Sequence, residues 1–413
     1  MTFRISMVAC AAATLALWGG AATAETIKLA HIDPFSGPAA GIVTNANNSL
    51  RQVVEIANKE HWAGNNTLEV VNFDGKGSPA ESIQQLNTAI DQGVRYIVQA
   101  HSSAVGLALI EAVNRYNDRN PGKEVVYLDV TNGAPELTNE KCSFWHFRFD
   151  SNQDMKTQAL VTFLAADPKI KRVYLINQNY STGQQTSVGV KAELKKKRPD
   201  IEIVGDDLHP MLAVKDFSPY IAKIKAANPD VVVTANWSAD LTLLLKAAKD
   251  SGLNTPFYTY NAATTGVPTA LAAAGATNVK LVTYWNPNDD PSTSKAVIEP
   301  FKAKYNDDFV VLPYYATVRL LTQAADNAKS WDPVKVAFAM EGLKVPSLNG
   351  QVEMRKSDHQ IQQAQVVSSW TKANGKDVKY DLEKTGYGWK TQQTFDPYVS
   401  ALPTSCQMKR PPV

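Results

Sequence analysis

Apolar positions along this chain fall into two alternating rhythms. Short, nearly continuous apolar runs at 27–32, 68–73, 94–99 and 124–129 predict buried strands. Between them, the spacing predicts helices over 44–60, 79–92 and from the HSSAVG segment to about 117. The pattern then restarts, with helices over 153–166, 183–198, 217–227 and 240–251 and strands over 172–177, 201–206, 231–235 and 256–260. A strand at 280–283 and helices over 292–305, 315–328 and 333–341 follow. Strand–loop–helix repetition calls for a parallel sheet covered on both faces. The chain is therefore expected to be α/β, with two lobes of similar build. From 350 onward short strands and turns mix, in a tail too small for a third domain. The pattern alone does not say how the last third is shared.

The first 24 residues break this rhythm. They carry one Arg, an apolar run from Ile5 to Trp18 and an A-x-A signal at Ala22 and Ala24, which reads as a signal peptide with the mature chain starting at Glu25. The run is too short for a membrane helix, and no later segment has 18 apolar residues in a row. A lipid anchor on Cys10 would leave 11–24 as an odd apolar tether. Export leaves two cysteines, Cys142 and Cys406, in an oxidising compartment. They are expected to pair, two free buried thiols being the alternative.

The 413 residues exceed one ordinary core, and 44% hydrophobic with 20% charged residues is ordinary globular composition. The net charge is +2, from 42 basic and 40 acidic side chains. The basic run Lys195 to Arg198 ends a helical pattern and reads as a solvated helix end, so nothing calls for nucleic acid. Six histidines, at 31, 61, 101, 146, 209 and 359, show no metal-ligand spacing. No nucleophile-elbow, P-loop or dinucleotide fingerprint is present. Asp33, Asp74, Asp129 and Glu136 could pair as acid and base, but acidic residues at strand ends commonly cap helices. Neither an enzyme, a metal nor a cofactor is expected.

Ligands of open parallel sheets bind beyond the carboxyl ends of the strands. The loops predicted there are DPFSG (33–37), DGKG (74–77), HSS (101–103), TNGAPE (131–136), NQNYSTG (177–183), NWSAD (236–240) and YNAATTG (260–266). Hydroxyls and helix N-terminal N–H groups suit a carboxylate, and aromatic rings offer flat apolar walls. Ser102 reads equally as a ligand contact or a helix N-cap.

The stretches IKLAHIDPFSGPAAG, HSSAV with VTNGAPELT, and NQNYSTGQ, in that order, resemble the periplasmic branched-chain amino-acid binding proteins of the Leu/Ile/Val type. The resemblance runs from about Ile27 to about Asp358. It implies a type I periplasmic binding fold: two Rossmann-like lobes with parallel sheets, joined by three crossovers. Lobe one would take 26–148 and 284–351, and lobe two 149–283 and 352–413. It also implies an ABC importer's solute receptor in the periplasm, a monomer that presents its ligand to a permease at the inner membrane. A sensor docking on a signalling partner is a second possibility for this fold.

The family's carboxylate contacts match here to Ser102 or Ser103, Thr131 and Gly133, the last by its backbone N–H alone. Its lobe-two aromatics match Tyr180 and Trp237. Phe35, on the first strand-end loop, is added as a wall. Where amino-acid receptors place an acid for the ligand's ammonium, this chain has Asn261. Asn is neutral and gives up the charge-assisted bond. The expected ligand is therefore a small carboxylic acid with an aromatic or apolar body, with an amino acid as the alternative. Asp240 could restore the missing charge, although first-turn capping is its plainer role.

Overall fold

A computed structural model describes residues 24–37 and 39–412. Residues 1–23 of the segment expected to be a signal peptide, Cys10 among them, lie outside the described residues.

The first unit runs β1 (Thr26–Asp33), α1 (Ala40–Lys59), β2 (Thr67–Asp74), α2 (Pro79–Asp91), β3 (Tyr96–Gln99), α3 (Ser103–Arg119), β4 (Val126–Asp129) and β5 (His146–Arg148). Its five strands are all parallel, in the order β2-β1-β3-β4-β5. Every residue of β3 and β4 is buried, as a sheet covered on both faces requires. Local chemistry agrees: Ser78 caps α2 by accepting from the Glu81 N–H, and Pro79 sits in its first turn.

The second unit runs α4 (Gln153–Ala165), β6 (Arg172–Gln178), α5 (Ser181–Lys197), β7 (Glu202–His209), α6 (Ser218–Ala227), β8 (Val231–Thr234), α7 (Ser238–Asp250), β9 (Phe257–Thr259), α8 (Val267–Ala273) and β10 (Val279–Thr283). The chain then returns to the first unit. There α9 (Pro291–Tyr305), α10 (Pro313–Ala328) and α11 (Pro333–Met340) bury Phe301, Leu320, Leu321 and Met340 in the first lobe's core. A small antiparallel sheet follows, of β11 (Lys344–Ser347), β12 (Gly350–Met354) and β13 (Ile361–Gln362).

Last come β14 (Gln365–Lys372) and β15 (Tyr387–Phe395), which extend the second sheet to β15-β14-β10-β9-β8-β6-β7. Both join it antiparallel, so this sheet is mixed and not purely parallel as expected. The two strands of a hairpin run antiparallel to each other. The lobe division also shifts. Val352, Met354 and Ile361, expected in the second lobe, pack in the first core, and the chain crosses back only between β13 and β14. Three crossovers thus join the lobes: β5 to α4, β10 to α9, and β13 to β14.

Two of these crossovers meet on Arg148, whose side chain is fully buried. Its Nε donates to Gln360 Oε1 at 2.7 Å, its Nη1 to the Ala134 carbonyl at 2.5 Å and the Asn132 carbonyl at 3.3 Å, and its Nη2 to Thr138. Gln360 in turn donates to the Asp150 carbonyl at 2.7 Å. Beyond β15 the tail runs back to lobe one, where Cys406 is bonded to Cys142. The pairing expected from the sequence is present, closing a separation of 264 residues. Replacing both cysteines by serine is expected to lower stability by about 2–4 kcal/mol in a denaturant titration. The unfolded, unreduced wild type should show neither Cys142 nor Cys406 reactive to a thiol reagent.

Acid should weaken the first lobe. Burial holds the His146 and His359 imidazoles below their ordinary value, outweighing the pull of Asp129 on one and Glu341 on the other. The unfolded chain binds protons at these positions near pH 6.5 while the folded chain stays neutral. Their contribution is therefore intact above about pH 6.5 and is lost as the pH falls below it. Thermal melts between pH 7.5 and 5 test this. A midpoint flat across that range would show that these rings do not govern acid stability.

Candidate functional site

In each sheet, strand order reverses at one place. In the first lobe this lies between β1 and β3, and in the second between β6 and β8. Loops diverge there and leave a crevice. The crevices face each other across one cleft with a volume of about 230 Å³.

The first crevice is organised by Asp33 at the end of β1. Its buried carboxylate accepts from the Ala100 N–H at 3.1 Å and the His101 N–H at 2.9 Å, and pairs with His31 Nε2 at 2.7 Å. Burial pushes this carboxyl up, but the neighbouring His101 and His31 rings outweigh it and hold the group well below the usual carboxylate range. The anchored loop delivers Ser102 and Ser103 to the N-terminus of α3. Ser102 occupies the N-cap position, yet its hydroxyl makes no capping bond, and its backbone stands at φ 80. A non-glycine residue held there is strained. The two sequence readings of Ser102 are thereby separated: the backbone position is the cap, and the side chain is left for something else. Ser103 Oγ accepts from the Ala134 N–H at 3.3 Å, and Thr131 Oγ1 donates to the Ala100 carbonyl.

The second crevice is built in the same way. Asn177, near the end of β6, accepts from the Ala235 N–H at 2.7 Å. This sets Tyr180 at the N-cap of α5 and Trp237 at the N-cap of α7. Asn261 Nδ2 donates to the Ala235 carbonyl at 3.0 Å and the Asn236 carbonyl at 3.4 Å. Its donor edge is thus committed to the scaffold, and its Oδ1 remains as an acceptor.

Seven of the eight expected residues line this one cleft: Ser102, Ser103, Thr131, Gly133, Tyr180, Trp237 and Asn261. Phe35 is not among the lining. Its ring instead packs edge-on against His31 at 5.2 Å. Asp240 does not turn inward either. It is buried, and its Oδ2 accepts from Gln178 Nε2 at 2.8 Å and the Leu212 N–H at 2.7 Å. Gly133 faces the opposite lobe, since a Cβ there would come within 3.4 Å of the Thr182 methyl.

Several lining residues escaped the sequence reading. Asp150 follows β5, a three-residue strand the apolar pattern did not reveal. Lys156 sits in α4, and its Nζ lies 2.5 Å from Asp150 Oδ2, with side chains 11% and 2% exposed. Burial pushes the Asp150 carboxyl up, with the Lys156 ammonium opposing it. Tyr284 and Trp285, in the second crossover, together with Phe309, Leu382 and Trp389, make the rest of the wall largely aromatic and apolar. One signal was available in the sequence: a lysine in the first turn of a helix opposes the helix dipole.

The lobes also touch outside the cleft. Glu136 of lobe one accepts from Ser181 Oγ at 2.7 Å and Gln185 Nε2 at 2.8 Å, both in the first turns of α5. So Glu136 is a bridge between lobes and does not pair with Asp33, Asp74 or Asp129. Among the described residues, no group of three or more His, Cys, Asp or Glu could hold a metal ion.

The family model described as periplasmic binding protein matches residues 26–376. The chain is 35% identical over 417 residues to a Leu/Ile/Val-binding protein homolog 4 of Brucella abortus (strain 2308), covering 98% of this chain and 97% of that protein. Among solved structures, it is similar to a leucine-, isoleucine-, valine-, threonine- and alanine-binding protein from Brucella ovis in its closed conformation. The TM-score is 0.84 and the identity 33%, over 94% of this chain and 100% of the other. A solute-binding protein from R. palustris in complex with 4-hydroxybenzoate shares the fold at TM-score 0.76 and 22% identity, over 90% and 97% of the two chains.

If Asp33 holds the Ser102 loop, Asp33→Asn should lower stability by about 1–3 kcal/mol and weaken ligand binding at the same time. Denaturant titration and a binding isotherm measured on the same preparation check both. A variant as stable as wild type would show that the carboxylate is not what fixes the loop.

Proposed function

Since the chain belongs to the periplasmic binding protein family, a group of non-catalytic solute receptors of ABC importers, we propose that its ligand is an α-amino acid with an apolar or aromatic side chain. The receptor works in the periplasm, binding a small organic ligand between its two lobes, and its partner is the importer's membrane permease.

The observation that carries the ligand assignment is Asp150, a buried carboxylate in the lining. The neutral Asn261 argued against an ammonium group, because a charge left poorly paired in a dry site is costly. Asp150 supplies the missing acid from the hinge, a place the sequence comparison did not point to. The Asn261 Oδ1 is a second acceptor for the same group. The ligand's carboxylate has the N-terminus of α3 with the Ser102 and Ser103 hydroxyls, and the Gly133 N–H. Its side chain has Tyr180, Trp237 and the aromatic wall. The lining carries Asp150 and Lys156 as an opposed pair, which suits a ligand whose own charges cancel. The Brucella abortus relative named for Leu/Ile/Val binding agrees with this reading.

A deaminated acid remains the second reading, favoured by the closeness of Lys156 to Asp150. Titration calorimetry on matched pairs separates the two: leucine against 4-methylpentanoate, and phenylalanine against 3-phenylpropionate. The amino acid of each pair should bind about tenfold to a hundredfold more tightly, the worth of one charge-assisted hydrogen bond. Asp150→Asn should remove most of that margin. Tighter binding of both deaminated acids would overturn the amino-acid assignment.

A further inference from the structure

Lys156 sits where ordinary stability would not place it. It is in the first turn of α4, at the positive end of the helix dipole, and only 11% exposed. A cation there is disfavoured by the dipole and by lost hydration together. The helix has a cap of its own in Asn152, whose side chain accepts from the Met155 N–H at 2.9 Å. Lys156 is therefore not needed to form α4.

Its surroundings are those of a ligand site. Nζ touches Asp150 from the first crossover and lies 5.5 Å from the centre of the Tyr284 ring, from the second. All three residues line the cleft. One turn earlier, on the same face, Gln153 donates its backbone N–H to the Gly133 carbonyl at 2.8 Å. That places Lys156 beside the loop that holds Thr131 and Gly133. An ammonium has three donors, and Asp150 takes one.

We propose that Lys156 is a specificity-determining residue, the cation that offsets Asp150 and makes the cleft select a ligand with both an amino and a carboxylate group. Resting on the amino-acid reading above, this assigns the balance of that selectivity to one side chain. With Lys156 in place, Asp150 alone cannot draw in a bare amine, because the ammonium of Lys156 repels it. A carboxylate on the ligand takes up the remaining donors of Lys156 and relieves that repulsion. Without Lys156, the lining keeps the Asp150 carboxylate unopposed and should turn toward cations.

The test compares 3-methylbutylamine, which is leucine without its carboxylate, with 4-methylpentanoate, which is leucine without its amine. Calorimetry gives the ratio of their affinities for the wild type, Lys156→Met and Lys156→Arg. In Lys156→Met the ratio should move toward the amine by about tenfold to a hundredfold, the range of a charge-assisted contact. Lys156→Arg keeps the charge and should hold the wild-type ratio. The Asp150→Asn/Lys156→Met pair removes both charges and should return the ratio toward wild type; if Lys156→Met alone does not fold, the pair is compared with Asp150→Asn, from which it should move the ratio toward the amine. A ratio unchanged from wild type in Lys156→Met, or unchanged between Asp150→Asn and the pair, overturns the proposal. The amino-acid reading fails separately, through wild-type leucine binding more weakly than 4-methylpentanoate.

Discussion

The buried guanidinium of Arg148 is the point on which the two-lobed arrangement depends. Its donors reach one side-chain oxygen of Gln360, just before β13 and the third crossover, and three acceptors on the segment from Asn132 to Thr138 that follows Thr131. A guanidinium cannot shed its charge and presents its donors in a rigid plane. The loop, the first crossover and the third crossover are therefore fixed relative to one another, and bending must happen around this knot. Losing an acceptor would leave a buried cation unsatisfied, a large penalty for any rearrangement. Asp33 plays the matching part on the other side of the crevice, fixing backbone N–H groups with a carboxylate. One buried charge of each sign thus holds the ligand-facing loops of lobe one.

Much of this was legible in the sequence. Apolar runs such as 27–32 and 231–235 gave the central strands because a sheet covered on both faces leaves no room for polar residues. Seven residues of the cleft lining were recoverable because strand-end loops sit at the crevice whatever the rest of the chain does. What was missed follows from physics that is not local. β5 has three residues and no period to detect. Asp150 and Lys156 lie six positions apart across a crossover, and only the three-dimensional bend brings them to the cleft. The pairing of β14 with β10 is between segments far apart in the chain, so nothing near Val366 announces it. Phe35 failed for the opposite reason: its loop is at the crevice, but its ring finds His31 first.

The second lobe is held by different chemistry. Its loops are fixed by neutral amides, Asn177 on Ala235 and Asn261 on the same turn, with Asp240 used up by Gln178 and Leu212. The buried charges that fix the cleft loops accordingly belong to lobe one, while lobe two offers rings, amides and the Lys156 ammonium of α4. A ligand captured by the charged side can be enclosed by the aromatic side, and that order suits hinge closure. The crossovers also carry Asp150 and Tyr284, so part of the cleft lining lies on the segments that connect the lobes.

Glu136, which joins lobe one to Ser181 and Gln185, has a cost for the transport cycle. It is not part of the cleft lining, so what it contributes to holding the lobes together is the same for every solute. A contact of that kind strengthens the capture of every solute alike and adds nothing to discrimination. It also narrows the difference between loaded and unloaded receptors that a permease can detect.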